Sequence, residues 1–350
     1  MKRRKFFAYL GTATIAGSLA IACNGTPTTD ASPNGTDTAT APTSGELTIY
    51  SGRNEQLIGP LLERFEAETG ITVNVRYGDT AELAAAILEE GENSPADVFF
   101  GQDAGALGSL QEANRTRSIP DNLLNQVDSR FRSPEGQWIG ISGRARVLDY
   151  NTELVQANEL PDSIWKLTEE QWRGRVAWAP TNGSFQSFVT ALRLTEGEER
   201  TLEWLQAMRE NDAQVYNNNT AIVEALGRGE AEIGLVNNYY LGRFRADNPN
   251  FPVAHHYTQD DAGSMVNVAG VAILDSTDQE AQAIALIEYL LTPESQTYFT
   301  QETSEYALVD GVAPPEDQIP LQQIQSPEID LSNLEDLEGT LALLEQAEVL

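Results

Sequence analysis

Apolar residues recur along most of this chain in two alternating rhythms. Leu47-Thr48-Ile49-Tyr50, Ile71-Thr72-Val73-Asn74-Val75 and Ala96-Asp97-Val98-Phe99-Phe100 are short runs rich in β-branched and aromatic residues, as strands are. Between them Leu57, Ile58, Leu61, Leu62 and Phe65 return at helical spacing and stop at Gly70, and residues 80–90 form a second helical stretch. Proline is tolerated in the first helical turn, so Pro60 predicts that the first helix begins near it. A third helix is expected after Phe100, up to about Ala113. A second series follows. Residues 138–150 are strand-like with an interruption at Ser142-Gly143, and strands are expected at 176–179 and 232–236, with helices at 184–194, 201–208 and 220–226. Residues 266–274 read as a strand returning to the first series, and helices at 281–291 and 341–347 close the chain. Strands alternating with helices predict an α/β chain with a mainly parallel sheet covered on both faces. Two such lobes joined by crossing strands would leave a cleft at the carboxyl ends of the strands, where open α/β sheets bind ligands.

The first residues follow neither rhythm. Lys2-Arg3-Arg4-Lys5 is a basic start and residues 6–22 are an uncharged apolar stretch. Cys23 follows Leu19-Ala20-Ile21-Ala22, which resembles an export signal ending at a lipidation site, with Cys23 as the lipid-bearing residue of the mature chain. The other reading of Cys23 is a small apolar residue removed with the signal. Arg3-Arg4-Lys5-Phe6-Phe7 also resembles a twin-arginine signal. The expectation is export to the periplasm or the outer face of the cell membrane, with residues 1–22 as signal. Residues 23–45 would be the lipidated cysteine and a flexible linker rich in Thr, Ser, Pro and Gly. No later segment has the roughly 20 apolar residues of a membrane span, so the membrane is expected to be met only through the lipid. Cys23 is the only cysteine, which excludes a disulfide and a thiolate metal site. The rest suits two lobes of roughly 150 residues: residues 46–143 with 270–320, and 144–269 with 321–350.

Charge narrows the partners. With 53 acidic and 22 basic side chains the formal net charge is −31. Nucleic acid and anionic membrane surfaces would be repelled, and the excess reads as a solvated acidic face. The chain has no phosphate-binding loop, no paired-histidine zinc motif and no nucleophile elbow, so an enzyme is not expected. His255 and His256 sit on a strand-like run, where neighbours point to opposite faces, and are not expected to bind one metal together. Arg144 and Arg146 alternate along a strand, with one expected at the cleft and the other paired at the surface.

Leu235-Val236-Asn237-Asn238-Tyr239-Tyr240 carries the most specific chemistry. An apolar run, expected to be a buried strand, ends in two adjacent tyrosines and opens into helix-like sequence. A phenol ordinarily ionises near pH 10. Two phenolates about 4 Å apart repel by about 4 kcal/mol at an effective dielectric of 20. The empty pair should therefore be neutral, and a trivalent cation should displace both protons. Hard oxygen donors suit hard Fe(III). On the residues alone, buried packing of the two rings is the other reading.

Several segments in order resemble the bacterial ferric-iron-binding proteins, the periplasmic components of iron-uptake ABC transporters. They are Thr48-Ile49-Tyr50-Ser51-Gly52-Arg53-Asn54-Glu55, Ser94-Pro95-Ala96-Asp97-Val98-Phe99-Phe100, Ile141-Ser142-Gly143-Arg144-Ala145-Arg146-Val147, Trp172-Arg173-Gly174-Arg175-Val176, Pro180-Thr181-Asn182-Gly183-Ser184-Phe185, Asn237-Asn238-Tyr239-Tyr240 and Leu343-Leu344-Glu345-Gln346-Ala347. The resemblance implies a two-lobe periplasmic-binding-protein fold with an interlobe cleft, crossing hinge strands and a transferrin-like iron site. Tyr239 and Tyr240 would be the main iron ligands. Asn54 stands where the family usually has a liganding His, and Gln102 where it often has a Glu, with Asp103 beside it. Asp103 is a further candidate ligand or the N-cap of its helix, and Tyr150 a further ligand or packing in the interlobe strand. The resemblance also implies a synergistic anion such as phosphate or carbonate at Asn182, Gly183 and Ser184, with Asn219 and Asn237 as side-chain donors. A helix N-terminus favours such an anion, although the same residues suit an ordinary cap. The protein is then expected to be a monomer that delivers Fe(III) to an ABC permease. The alternative keeps the fold and binds phosphate, a sugar phosphate or a polyamine without iron.

Overall fold

The computed structural model describes residues 44–350. The expected export signal, Cys23 and all but the end of the expected linker lie outside the described residues.

The first half follows its hydrophobic rhythm. β1 (Gly45–Ser51), α1 (Glu55–Thr69), β2 (Ile71–Tyr77), α2 (Thr80–Glu90), β3 (Val98–Gly101) and α3 (Ala104–Glu112) form parallel strands with helical crossovers. α1 starts earlier than expected. The Asn54 side chain caps it by accepting from the Leu57 N–H (3.1 Å), and Pro60 lies inside it. The carbonyl that Pro60 leaves without a backbone donor belongs to Gln56, which is exposed, so water can serve it. Gly70 ends the helix at φ 72°, a left-handed geometry that favours glycine.

After α4 (Asp121–Leu124), the chain enters β4 (Ile139–Asn151), the longest strand. The interruption expected at Ser142-Gly143 is a register shift between Gly140 and Ser142 within one continuous strand. Then come β5 (Val176–Trp178), α5 (Gly183–Glu196), α6 (Glu198–Glu210), β6 (Gln214–Val215), α7 (Asn219–Gly227), β7 (Ile233–Asn237), α8 (Tyr239–Asp247), β8 (Val253–His256), β9 (Val266–Ile273), α9 (Glu280–Leu290), α10 (Pro293–Glu302), β10 (Tyr306–Ala307) and α11 (Leu337–Gln346). The strand order is β2-β1-β3-β9-β4-β7-β5-β6, with β8 and β10 also pairing to β4. Each end of the sheet is parallel, but the β3–β9, β9–β4 and β4–β7 pairs are antiparallel. The sheet is thus mixed rather than mainly parallel. β4 is the crossing strand: residues up to Ala145 pair with β9, and Arg146–Tyr150 pair with β7.

Packing follows this division. Beside α5 and α6, Trp204 meets Trp178 and Phe188 edge-on at centroid distances of 6.2 and 5.7 Å. The C-terminal segment touches both ends of the sheet. A 3-10 turn at Leu331–Glu335 lies along α3, where a Cβ on Gly105 or Gly108 would overlap the Leu334 or Ser332 carbonyl. Trp138 Nε1 donates to Ser332 Oγ (3.1 Å). α11 then packs on α5 and α6, and Arg193 holds Asp336 at the junction (2.8 Å).

Candidate metal and anion site

Both sheet ends direct strand exits and helix N-termini toward one cleft of about 660 Å³. β7, buried throughout, delivers the tyrosines. Between β7 and α8, Asn238 is fully buried. Its Oδ1 accepts from the Ala145 N–H (2.9 Å), and its Nδ2 donates to the Ser304 carbonyl (2.8 Å) and to Gln318 Oε1 (2.8 Å). This clamp fixes the turn that presents Tyr239 and Tyr240. Their rings stack with centroids 4.4 Å apart and planes 29° apart, and both line the cleft. Burial, and then the neighbouring Tyr240, push the Tyr239 phenol well above its ordinary range, so it is protonated at neutral pH; Arg144 opposes the shift.

The wall opposite the anion loop is built at the end of β3. Gln102 and Asp103 both line the cleft. Asp103 Oδ1 accepts from the Ala106 N–H (3.1 Å), so the side chain caps α3. Gln102 Oε1 accepts from Arg53 Nη1 (3.0 Å). Arg53 is fully buried and grips Glu305 through two parallel hydrogen bonds of 2.8 and 2.9 Å, while Ser142 Oγ donates to Glu305 Oε2 (2.6 Å). Asn54 is exposed as the cap of α1 and does not line the cleft. Tyr150 is half-buried in register with Ile233 and Ala254, four residues beyond Arg146, and is also not among the residues lining the cleft.

The anion loop leads from β5 into α5. Asn182 Oδ1 accepts from the Ser184 N–H (3.1 Å) and Oγ (2.7 Å), which caps the helix. Asn219 Nδ2 donates to Ser184 Oγ (2.9 Å), and its Oδ1 is buried with no partner. Asn182, Gly183, Ser184 and Asn237 line the cleft, and Asn219 stands behind Ser184. A Cβ at Gly183 would meet no atom within 4 Å, so packing does not demand glycine there.

Arg144 and Arg146 differ from expectation, because both line the cleft. Residues two apart on a strand share a face, so the alternation puts them together instead of separating them. Arg146 is 3% exposed. Its Nη1 reaches Asn237 Oδ1 (3.3 Å), while Nε and Nη2 have no partner. Burial pushes its pKa down to about 10, with Tyr239 and Tyr240 opposing the shift, and it is still a cation at neutral pH. Its guanidinium lies 5.1 Å from the Phe188 ring centroid. Sequence reasoning missed the roles of Arg53, Glu305, Asn238 and the shared face of the two arginines. For Arg144 and Arg146, charged residues inside an otherwise apolar strand were the available signal.

His255 and His256 stand apart from the cleft. His255 Nδ1 contacts Asp149 (2.5 Å), and His256 Nε2 contacts the Pro161 carbonyl (2.8 Å). Among the described residues, no group of three or more His, Cys, Asp or Glu is arranged to hold a metal.

Residues 61–323 match the model of a bacterial extracellular solute-binding protein family. The Fe(3+)-binding periplasmic protein of Serratia marcescens is 31% identical over 292 residues, 82% of this chain and 86% of that protein. The structure of iron-bound HitA from Pseudomonas aeruginosa superposes with a TM-score of 0.78 at 29% identity, covering 86% of this chain and 99% of that one. A Trichodesmium protein (IdiA, FutA) in complex with iron and citrate superposes with a TM-score of 0.77 at 31% identity, covering 87% and 99%.

Proposed function

Because the chain belongs to the bacterial extracellular solute-binding proteins, we propose that it captures Fe(III) with an anion in its cleft and delivers the loaded form to the membrane permease of an ABC transporter. The observation that carries this reading is the stacked Tyr239–Tyr240 pair facing the cleft from a clamped turn. Relatives named or described as iron-binding support it.

Before loading, burial keeps Tyr239 as a neutral phenol. Fe(III) then takes the place of the phenolic protons, and its charge offsets the repulsion between the phenolates. Fe(III) with two phenolates retains a single positive charge, which an anion at the start of α5 would cancel. The helix N–H groups and Ser184, with Asn182, Asn219 and Asn237 around them, suit an oxyanion such as phosphate or carbonate. We assign Asp103 and Asn54 to helix capping and Tyr150 to packing, each on the contacts described above. The lobes would be residues 46–143 with 270–320 and 144–269 with 321–350, closing on the ion about the crossing strands. We further propose a monomeric binding protein, without catalysis, tethered outside the cytoplasm through lipid at Cys23 after export by the twin-arginine route.

Iron titration followed by visible absorbance tests the assignment. The protein should develop a tyrosinate-to-iron colour. Tyr239→Phe and Tyr240→Phe should each lose colour and bind iron more than about 100-fold more weakly, beyond the usual effect of losing an outer-shell partner. Unchanged colour and affinity in both variants would reject the reading.

A further inference from the structure

This inference rests on the ferric reading and concerns what holds the iron donors in place. We propose that Asn238 is the positioning residue of the tyrosine pair. It stands at one end of a buried strut, Gln102–Arg53–Glu305–Ser304–Asn238, through which the opposite wall of the cleft sets the angle at which Tyr239 and Tyr240 meet the metal.

Asn238 stands at the N-cap of α8, yet its side chain caps nothing. Its backbone is already helical (φ −53°, ψ −39°), and its side chain accepts from none of the first helical N–H groups. An asparagine amide offers two donor hydrogens and one acceptor oxygen. All are spent away from α8, on Ala145 in the crossing strand, on the Ser304 carbonyl and on Gln318 Oε1. A capping bond is given up for a tie to a distant segment. The same helix face continues that tie. Gly242 and Arg245 follow Asn238 at intervals of four and three residues, which places all three on one stripe. A Cβ on Gly242 would lie 2.4 Å from Ser304 Oγ, so only glycine lets the segment seat this closely. Arg245 Nη1 donates to Asp317 Oδ2 (2.6 Å). α8 thus carries the iron donors at its start and is fastened along one stripe to residues 304–318.

The other side of that segment is anchored to the opposite wall. Ser304 has φ 55°, a left-handed geometry uncommon outside glycine. The next residue, Glu305, is buried, takes Arg53 in two parallel hydrogen bonds and accepts a third from Ser142 Oγ. The Ser304 carbonyl belongs to the planar peptide that joins it to Glu305. Fixing Glu305 therefore fixes the acceptor that Asn238 holds. Arg53 in turn donates to Gln102, which lines the cleft. Every link from Gln102 to Asn238 is then either covalent or a hydrogen bond of 2.8 to 3.0 Å. Continuous networks of this kind carry coupling between separated groups. A phenolate oxygen follows its ring, and the ring follows the backbone of the turn, so a displaced Asn238 would displace the metal donors.

The test reads three quantities for the protein and its variants: the tyrosinate-to-iron absorption band, iron affinity against a competing chelator, and urea unfolding. Asn238→Ala is expected to move the band maximum, because the energy of such a band depends on phenolate–iron geometry. It should also weaken iron binding roughly 10- to 100-fold, the usual effect of losing a partner that orients a metal ligand. Gln318 is half-buried and does not line the cleft, so Gln318→Ala is the variant that keeps the fold. It should move the band in the same direction and weaken iron about fivefold, the value of one hydrogen bond, with the urea midpoint close to that of the parent chain. Gln318→Glu keeps the acceptor and should bring the band back. Glu305→Gln keeps the side-chain volume but loosens the grip on Arg53. Combined with Asn238→Ala, its effect on iron affinity should depart from the product of the two single effects by about fivefold or more. A band unmoved in both Asn238→Ala and Gln318→Ala, lowered stability with unchanged iron affinity, or independent effects in the double variant overturns the strut while leaving the ferric reading intact. A parent chain that shows no tyrosinate colour with iron overturns both.

Discussion

Two close tyrosine pairs stand among the described residues, and their surroundings set them different tasks. Tyr257 and Tyr306 share a hydrogen bond of 2.8 Å, and burial raises both phenols. Tyr239 is raised as well, but it lines the cleft. Each phenolate that iron forms releases one proton. While the free phenol is protonated, affinity therefore falls as pH falls, by about tenfold per pH unit for each proton released. Because the Tyr239 phenol lies above its usual range, this slope should persist across neutral and mildly alkaline pH. Competitive iron titrations between about pH 6 and pH 9 should give at least that slope, and a flat profile would contradict tyrosinate ligation. Tyr239 and Tyr240 were legible in the sequence because adjacent phenols after an apolar run are uncommon and occupy a place in an ordered series of segments. The buried Tyr257–Tyr306 pair was not legible, since its members are far apart in sequence and meet only through tertiary packing.

Helix starts do most of the site's construction. Asn54, Asp79, Asp103 and Asn182 cap α1, α2, α3 and α5 through side-chain oxygens, and three of these four residues line the cleft. Gly183 offers a direct test of the α5 start. Alanine there meets no protein atom and has better helix propensity, so Gly183→Ala should leave the urea midpoint unchanged or slightly raised. The added methyl would stand where an anion approaches the backbone, so affinity for the iron–anion complex should fall about fivefold or more, the value of one lost hydrogen bond. Urea unfolding of the variant checks the first part and titration calorimetry the second. Elements with clear periodicity were readable, and α2 spans the residues expected of it. α1 was misplaced because Pro60 was read as a first-turn residue, whereas an exposed helix face lets solvent serve the missing bond. α10 escaped notice because Pro293–Glu302 is dominated by polar residues and shows no clean apolar stripe.

Across the whole molecule, two segments 252 residues apart in sequence are locked together beside the site. Arg53 follows β1, Glu305 precedes β10, and their ion pair is buried. Arg53→Met would leave Glu305 as an unpaired buried charge and should cost about 3–5 kcal/mol in urea unfolding, whereas Arg53→Met combined with Glu305→Met should recover most of it. A double variant as unstable as the single one would mean that packing, not charge, is what Arg53 provides. Alternating strands and helices made the α/β class legible, but not the antiparallel centre of the sheet. Strand order there depends on where β4 and β9 cross, which no local pattern encodes. The C-terminal segment was equally invisible as a connector, although its glycine seat on α3 and its helix on α5 and α6 join the two sheet ends. Because this segment follows the tyrosine turn in the chain, a ribosome finishes that turn well before it supplies the tie. Any copy that stops before residue 331 carries its iron donors but leaves a bare glycine groove on one side and an uncovered helix face on the other, which are the surfaces that quality-control proteases and aggregation exploit.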